Sequence, residues 1–370
     1  MKFTIQSSVV ALTMAFPFAA AFAQSTVPAG STIPPGPKIN SYVRRDDAFF
    51  ASAEGKHIAD NILNWQNSNG GWFKNYSPAT TRPSNLLDDP KSGPSGDDDS
   101  VWHKTSTIDN DATYSEMRLL AHAYRVTKNE AYKDAFNRGL DYLFKAQYSN
   151  GGWPQRFPLQ NNYGRHITYN DGAMLGVMEL LRDVANQKPD FAFATDAQRK
   201  QCTEAFDRGV ECILNCQYKQ DGKLSVWCQC HDEVALQPAG ARAYELPSLS
   251  GSESVGIILM LMSLPHPSQR VRDSIEGACA WFESSKILGK RIANGPGGRT
   301  MIDDPNAPPL WGRFYDLKTN KPFVCGRDGI PKATLEEIPA ERRNGYSWYS
   351  STASILPERY QMWKTTLQAK

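Results

Sequence analysis

The sequence predicts an all-α fold: an α/α toroid in which about three helix pairs make an incomplete helical barrel, with long, mostly irregular loops forming a cleft. Three observations carry this. Apolar residues recur at helical spacing through most of the chain. The helices come in pairs that close with a repeated turn, as in architectures built from stacked helical units. The stretches between pairs, residues 73–112, 218–251 and 287–350, are too long for simple connections and hold much of the polar, charged and aromatic content.

Each element follows in order. Lys2, an apolar stretch over residues 9–21 and the small-x-small triplet Ala21-Phe22-Ala23 read as an export signal cleaved near Ala23. The stretch is too short to span a bilayer, and no later segment is long and apolar enough. Residues 24–45, rich at first in Pro, Gly, Ser and Thr, read as a flexible leader, and residues 46–370 as one catalytic domain. A first helix is expected over 51–66, stopped by Asn69-Gly70-Gly71. A pair follows over 114–127 and 131–147, stopped by Asn150-Gly151-Gly152. Further pairs are expected over 173–186 with 197–217 and over 252–263 with 269–286, then a last helix over 353–367.

The turns repeat. Gln66-Asn67-Ser68-Asn69-Gly70-Gly71-Trp72 matches Gln147-Tyr148-Ser149-Asn150-Gly151-Gly152-Trp153 almost letter for letter, and Gln217 to Gly222 is a weaker third copy with Trp227 further on. Glycine permits the left-handed residue that ends a helix, and the Trp then packs over the last turn, so Trp72 and Trp153 are expected to be structural.

A formal net charge of +2 gives no overall basic excess for nucleic acid or an anionic membrane. A polyanionic partner would need a local cluster of Arg and Lys. All seven cysteines lie beyond residue 201: Cys202, Cys212, Cys216, Cys228, Cys230, Cys279 and Cys325. Export permits disulfides, the leading expectation, with at least one thiol left over. Zinc on Cys212, Cys216, Cys228, Cys230 and His231 has a non-standard spacing, and reduced core thiols are the third reading.

Two acidic segments stand just before helices: Thr107-Ile108-Asp109-Asn110-Asp111-Ala112-Thr113 and Tyr169-Asn170-Asp171-Gly172-Ala173. Helix capping alone would account for Asp111 and Asp171. Asp109, Asn110 and Asp111 together exceed what a cap needs, and several oxygen donors suit a hard cation such as calcium. Three loop arginines form a basic set: Arg242 beside Tyr244, Arg313 in Leu310-Trp311-Gly312-Arg313-Phe314-Tyr315, and Arg327 in Cys325-Gly326-Arg327-Asp328-Gly329. Such arginines can fork onto sugar carboxylates. The plainer reading is surface charge or a local ion pair, for instance Arg327 with Asp328.

Together these segments, with Asn150-Gly151-Gly152-Trp153-Pro154-Gln155-Arg156, Ala241-Arg242-Ala243-Tyr244-Glu245-Leu246-Pro247 and Arg342-Arg343-Asn344-Gly345-Tyr346, resemble the pectate lyases of polysaccharide lyase family ten. The likeness runs from about Asp46 to Trp363. It implies an α/α toroid whose cleft binds polygalacturonate and cuts it by calcium-dependent β-elimination; internal cleavage is the expectation, though the sequence leaves internal and terminal action open. It implies that Asp109 and Asp171 hold calcium, with Asp109 also catalytic and Asn110 a substrate-binding neighbour. Arg327 looks like the catalytic base, and Arg242, Arg313 and Tyr244 like substrate-binding residues. Arginine is almost always protonated in proteins, so a second reading has Arg327 only stabilising charge while Lys104 or water takes the proton. A monomer is expected, with no nucleic acid or membrane partner.

Rival readings each leave a mark. A terpene cyclase would need an acidic donor, with Asp97-Asp98-Asp99 as its candidate. A glycoside hydrolase on the same toroid would use two carboxylates and give a saturated product without calcium. A non-catalytic pectin-binding protein would need fewer of these residues.

Overall fold

The computed structural model describes residues 36–86 and 105–368. The export signal, the leader up to residue 35, Asp97-Asp98-Asp99 and Lys104 lie outside the described residues. No helix among the described residues is long and apolar enough to cross a membrane.

The expected first helix is two: α1, Asp47–Ala51, and α2, Ala53–Trp65. They break at Ser52, whose hydroxyl accepts from Gly55 N at 3.1 Å and starts the second helix. The pairs follow as α3 Tyr114–Thr127 with α4 Glu130–Ala146, α5 Ala173–Ala185 with α6 Asp196–Cys216, and α7 Glu253–Met262 with α8 Gln269–Ser284. A capping box of Thr195 and Gln198 opens α6. A short α9, Ala340–Gly345, and a closing α10, Leu356–Gln368, complete the set.

The all-α expectation is corrected: small antiparallel sheets join the helices. Ile167–Thr168 pairs with Cys230–His231, and Trp311–Gly312 with Tyr349–Ser350. Leu249–Ser250, Phe314–Tyr315, Pro322–Cys325 and Pro331–Lys332 make a four-stranded sheet, and Lys290–Gly295 forms a hairpin with Gly298–Asp303. Most of these strands are two residues long, too short for a period of two to register in a sequence.

The repeated turns hold the framework in one recurring way. Each closing Gln side chain donates to the carbonyl of its own turn and to the helix of the next pair. Gln66 reaches Gly70 and Ala135 O, both at 2.8 Å. Gln147 reaches Gly151 O at 3.0 Å and Ala205 O at 2.9 Å, and Gln217 reaches Ser225 O at 2.8 Å and Ser274 O at 3.0 Å. Thus α2 is stapled to α4, α4 to α6 and α6 to α8. At Gly151, with φ +92°, an added Cβ would stand 2.0 Å from Arg208 O, so only glycine lets the turn approach α6.

The Trp of each turn is fully buried and donates its indole N–H backwards: Trp72 to Ile62 O at 2.9 Å, Trp153 to Leu143 O at 2.8 Å and Trp227 to Ile213 O at 2.7 Å. A fourth copy, invisible as a sequence repeat, is Trp311, which donates to Phe282 O at 2.8 Å. The expected structural role of Trp72 and Trp153 agrees with this burial. Two residues after Trp153, Trp227 and Trp311, a carbonyl receives the segment that enters the neighbouring helix. Ile108 N donates to Gln155 O at 3.1 Å, Tyr169 N to Gln229 O at 2.8 Å and Gly251 N to Arg313 O at 3.1 Å. The helix-entry segments therefore sit side by side, and the acidic segments are two of them.

The disulfide expectation is also corrected. All seven cysteines are free thiols; Cys212 and Cys216, one helical turn apart, have sulfurs 4.0 Å from each other. The zinc reading fails too. His231 Nε2 accepts from Cys228 N at 3.0 Å and its Nδ1 bonds Leu236 O at 3.0 Å, so both ring nitrogens are spent on the backbone. Burial pushes its pKa down to about 4.

Candidate active site

Asp109–Asp111 and Asn170–Gly172 are single 3₁₀ turns, bent alike: Asn110 and Asp171 both have φ 51°. Asn and Asp tolerate this left-handed backbone better than other side chains. Neither Asp111 nor Asp171 caps a helix. The N-cap positions belong to Thr113 and Gly172, and neither makes a side-chain cap bond. The capping explanation for these aspartates is therefore withdrawn.

The two turns meet through Asn170. Its amide nitrogen lies 3.3 Å from Asp109 Oδ1 and 3.2 Å from Asp171 Oδ2, so both carboxylates face one point. Lys74 Nζ donates to the other oxygen of Asp109. Arg313 reaches in from beyond Trp311: one nitrogen donates to Asn170 Oδ1 at 3.0 Å and Glu253 Oε1 at 2.5 Å, and stands 3.5 Å from Asp171 Oδ1. Ser250 holds the other oxygen of Glu253. Asp109 is 2% exposed and Arg313 8%. Asp111 faces elsewhere, accepting from Asn40 Nδ2 at 2.5 Å and Tyr114 OH at 2.6 Å. Asn110 takes its place beside Asn75, its amide 3.3 Å from Asn75 Oδ1.

Burial acts on both aspartates, with different results. For Asp109 burial raises the pKa, but Lys74, then Arg156 and Arg242, outweigh it and hold the carboxyl below its usual range. For Asp171 burial wins over Arg313, and Asp109 and Glu253 add repulsion, so its pKa stands at about 6.

The other two arginines lie on an aromatic cluster. Arg242 forks onto Glu245, Nε at 2.8 Å and a terminal nitrogen at 2.5 Å, and Glu245 also takes Tyr346 OH at 2.7 Å. Burial opposes the charge on Arg242, but Glu245 more than restores it. Tyr244 is 4% exposed: its ring underlies the guanidiniums of Arg342 at 4.6 Å, Arg242 at 4.9 Å and Arg327 at 5.8 Å. Arg313 in turn lies 4.6 Å over Tyr346. Arg327 is the outward one, with 65% of its side chain exposed. It does not pair with Asp328. It forks onto Glu341 at 2.9 and 3.3 Å, while Asp328 accepts from Ile330 N.

The structure thus brings Asp109, Asn170, Asp171 and Arg313 into contact, and sets Arg242, Tyr244 and Arg327 around a neighbouring aromatic cluster. Sequence reasoning missed Lys74, Glu253, Glu245 and Glu341. One signal was present for Lys74: it stands two residues after Trp72, as Arg313 does after Trp311. The three glutamates carry no such mark.

The donor set suits calcium. Asp109 and Asp171 offer hard oxygens toward one point, where the Asn170 amide nitrogen donates to both, and Asp171 carries a carboxyl whose ionisation burial resists and a dication would favour. Another group, His166, Asp232 and Glu233, has ligand atoms within 4.8 Å of one another. There Arg165 and His166 take both oxygens of Glu233 and backbone amides take Asp232, so that cluster is a closed network tying two loops. A cavity of about 240 Å³ at the end of α6 contains none of the candidate residues.

The family model of the pectic acid lyases matches residues 66–356. A solved family 10 polysaccharide lyase from Cellvibrio cellulosa shares 32% identity with the chain, covering 88% of it and 95% of the other, at a TM-score of 0.74. An aspartate-to-alanine mutant of the family 10 lyase from Cellvibrio cellulosa, in complex with trigalacturonic acid, aligns over the same shares at 32% identity and a TM-score of 0.73. No curated protein matches the chain.

Proposed function

The chain belongs to the pectic acid lyase family, and from that premise we propose that it is a pectate lyase that cleaves α-1,4-polygalacturonate by calcium-assisted β-elimination, giving 4,5-unsaturated oligogalacturonates. The observation that carries the mechanism is the meeting of two carboxylates, one amide and one arginine at Asn170.

Asp109 and Asp171 would hold the ion, which when bound supplies positive charge beside the reacting sugar's carboxylate. Lys74 and Arg313 offset the negative charge of Asp109, Asp171 and Glu253 at that corner, and Asn110 offers an amide to the sugar. Arg242, whose Nε and one terminal nitrogen are held by Glu245, keeps its other terminal nitrogen for a second carboxylate. The proton at C5 is α to a carboxylate, so its removal builds negative charge on that group, and fixed cations aimed there lower the barrier. Arg327, as the neutral guanidine left after its own proton has gone to solvent, takes the proton. The C5–H electrons become the C4–C5 double bond, the bond from C4 to the leaving oxygen breaks, and that oxygen is protonated by solvent. A guanidinium paired with Glu341 holds its proton tightly, so activity is expected to rise toward alkaline pH.

The stapling of α2 to α4, α4 to α6 and α6 to α8 supports reading the framework as an α/α toroid and residues 46–370 as one catalytic unit. The leading 23 residues support export with cleavage near Ala23, tested by sequencing the amino terminus of the mature protein.

The functional test is incubation with polygalacturonate, with calcium or chelator, following ultraviolet absorbance of the unsaturated uronate. A calcium-dependent rise that Asp109→Ala abolishes is expected. New reducing ends without that rise would mean hydrolysis and overturn the reading.

A further inference from the structure

Arg327 sits at the rim, yet it is tethered. Its Nε and a terminal nitrogen fork onto Glu341 at 3.3 and 2.9 Å. The same carboxylate takes Arg342 through Nε at 2.8 Å and a terminal nitrogen at 2.5 Å. Arg342 is the buried member of the pair, 9% exposed, stacked 4.6 Å over Tyr244, with its own carbonyl accepting from Trp348 Nε1 at 3.0 Å. So a packed arginine anchors Glu341, and Glu341 anchors an exposed arginine. A forked guanidinium fixes a plane as well as a distance.

We propose that Glu341 is the positioning residue of Arg327, setting where its guanidinium stands and how readily it gives up a proton to act as the base. This rests on the reading of Arg327 given above. The other charged or titratable groups around Arg327 are Tyr244, whose ring lies 5.8 Å away, Arg242 and Arg342 on the same ring, and Asp328 next in the chain. Asp328 spends an oxygen on Ile330 N. Glu341 alone among them hydrogen-bonds the guanidinium, and it holds Arg327's pKa above the ordinary value while its own lies at about 2. Partial burial and the neighbouring Arg242 push the other way, so removing the Glu341 charge favours loss of the Arg327 proton.

The test is the pH profile of kcat and KM on polygalacturonate at saturating calcium for Glu341→Gln, Glu341→Asp and Arg327→Ala, with melting temperatures alongside. Glu341→Gln keeps a hydrogen-bond acceptor but removes the charge. It is expected to move the rising limb of kcat to lower pH by about one unit, with KM unchanged. Glu341→Asp, which keeps the charge, should return the limb to its wild-type position. A Glu341→Gln limb that superimposes on the wild type, or moves only together with KM, would overturn the proposal and leave Glu341 as a surface ion pair. If Arg327→Ala keeps wild-type kcat, the reading of Arg327 itself fails, which is a separate and distinguishable result.

Discussion

The framework of helix pairs and the arginine-bearing segment from Trp311 to Tyr346 hold their geometry by different means. In the framework, backbone does the work. Gln side chains staple carbonyls of successive helices, indoles of Trp72, Trp153 and Trp227 bond helix-end carbonyls, and glycines permit the close approach. In the segment, charged side chains do it: Glu253 fixes Arg313, Glu341 fixes Arg327, and Glu245 holds Tyr346 as it holds Arg242 from outside the segment. Backbone-satisfying contacts resist change in pH and salt, whereas ion pairs exposed at the rim are individually weak and can be exchanged for substrate carboxylates. Stability is thus assigned to the turns and chemistry to the arginines.

Mutations can break that division. The largest effect on stability is expected from Trp153→Ala, which empties a fully buried site and takes from Leu143 O the second of its two donors, the other being Gln147 N. It should cost about 3–5 kcal/mol by chemical denaturation. Gly151→Ala comes next: its φ of +92° and the contact with Arg208 O leave no room for a methyl group. A loss of about 1–3 kcal/mol is expected. If either change spared stability while cutting activity, the turns would belong to the site instead.

A smaller effect sharpens the comparison at a buried acid outside the site. Glu116 accepts from Tyr76 OH at 3.0 Å, its second oxygen has no partner, and burial raises its pKa to about 8 from 4.5. Between those values the folded form holds the extra proton. Its stability is therefore full below about 4.5 and falls as pH rises toward 8. Glu116→Gln should raise the melting temperature at pH 9, on the order of 1 kcal/mol, and leave it nearly unchanged at pH 4. The smallest effect concerns the cysteines: all seven should titrate as thiols after denaturation, and reductant should not move the melting temperature.

The framework was legible in the sequence because its signals are local and repeated. Gln66 to Trp72 and Gln147 to Trp153 are near copies, and helical periodicity spans ten or more residues. Even so, Ser52 splits the first helix by a cap that periodicity overrides, and Trp311 completes the series with no preceding Gln-Gly-Gly run. The two-residue strands after residue 287 leave no pattern, and the longer hairpin of Lys290–Gly295 with Gly298–Asp303 was missed because neither strand alternates apolar with polar residues. At the site, Asp109, Asp171 and Arg313 could be nominated from their settings, but their meeting at Asn170 joins residues far apart in the chain. The disulfide expectation failed for a similar reason. Export permits such bonds, but pairing depends on packing that places Cys228 and Cys230 against Ala239 and Thr168.

The most direct test of the division between framework and arginines is Arg327→Ala, assayed for both turnover of polygalacturonate and thermal stability. With 65% of its side chain exposed and one surface ion pair to lose, the variant should melt within about 2 °C of the wild type while kcat falls by about 10²–10⁴-fold. Retained turnover, or a loss of stability in step with activity, would contradict the account.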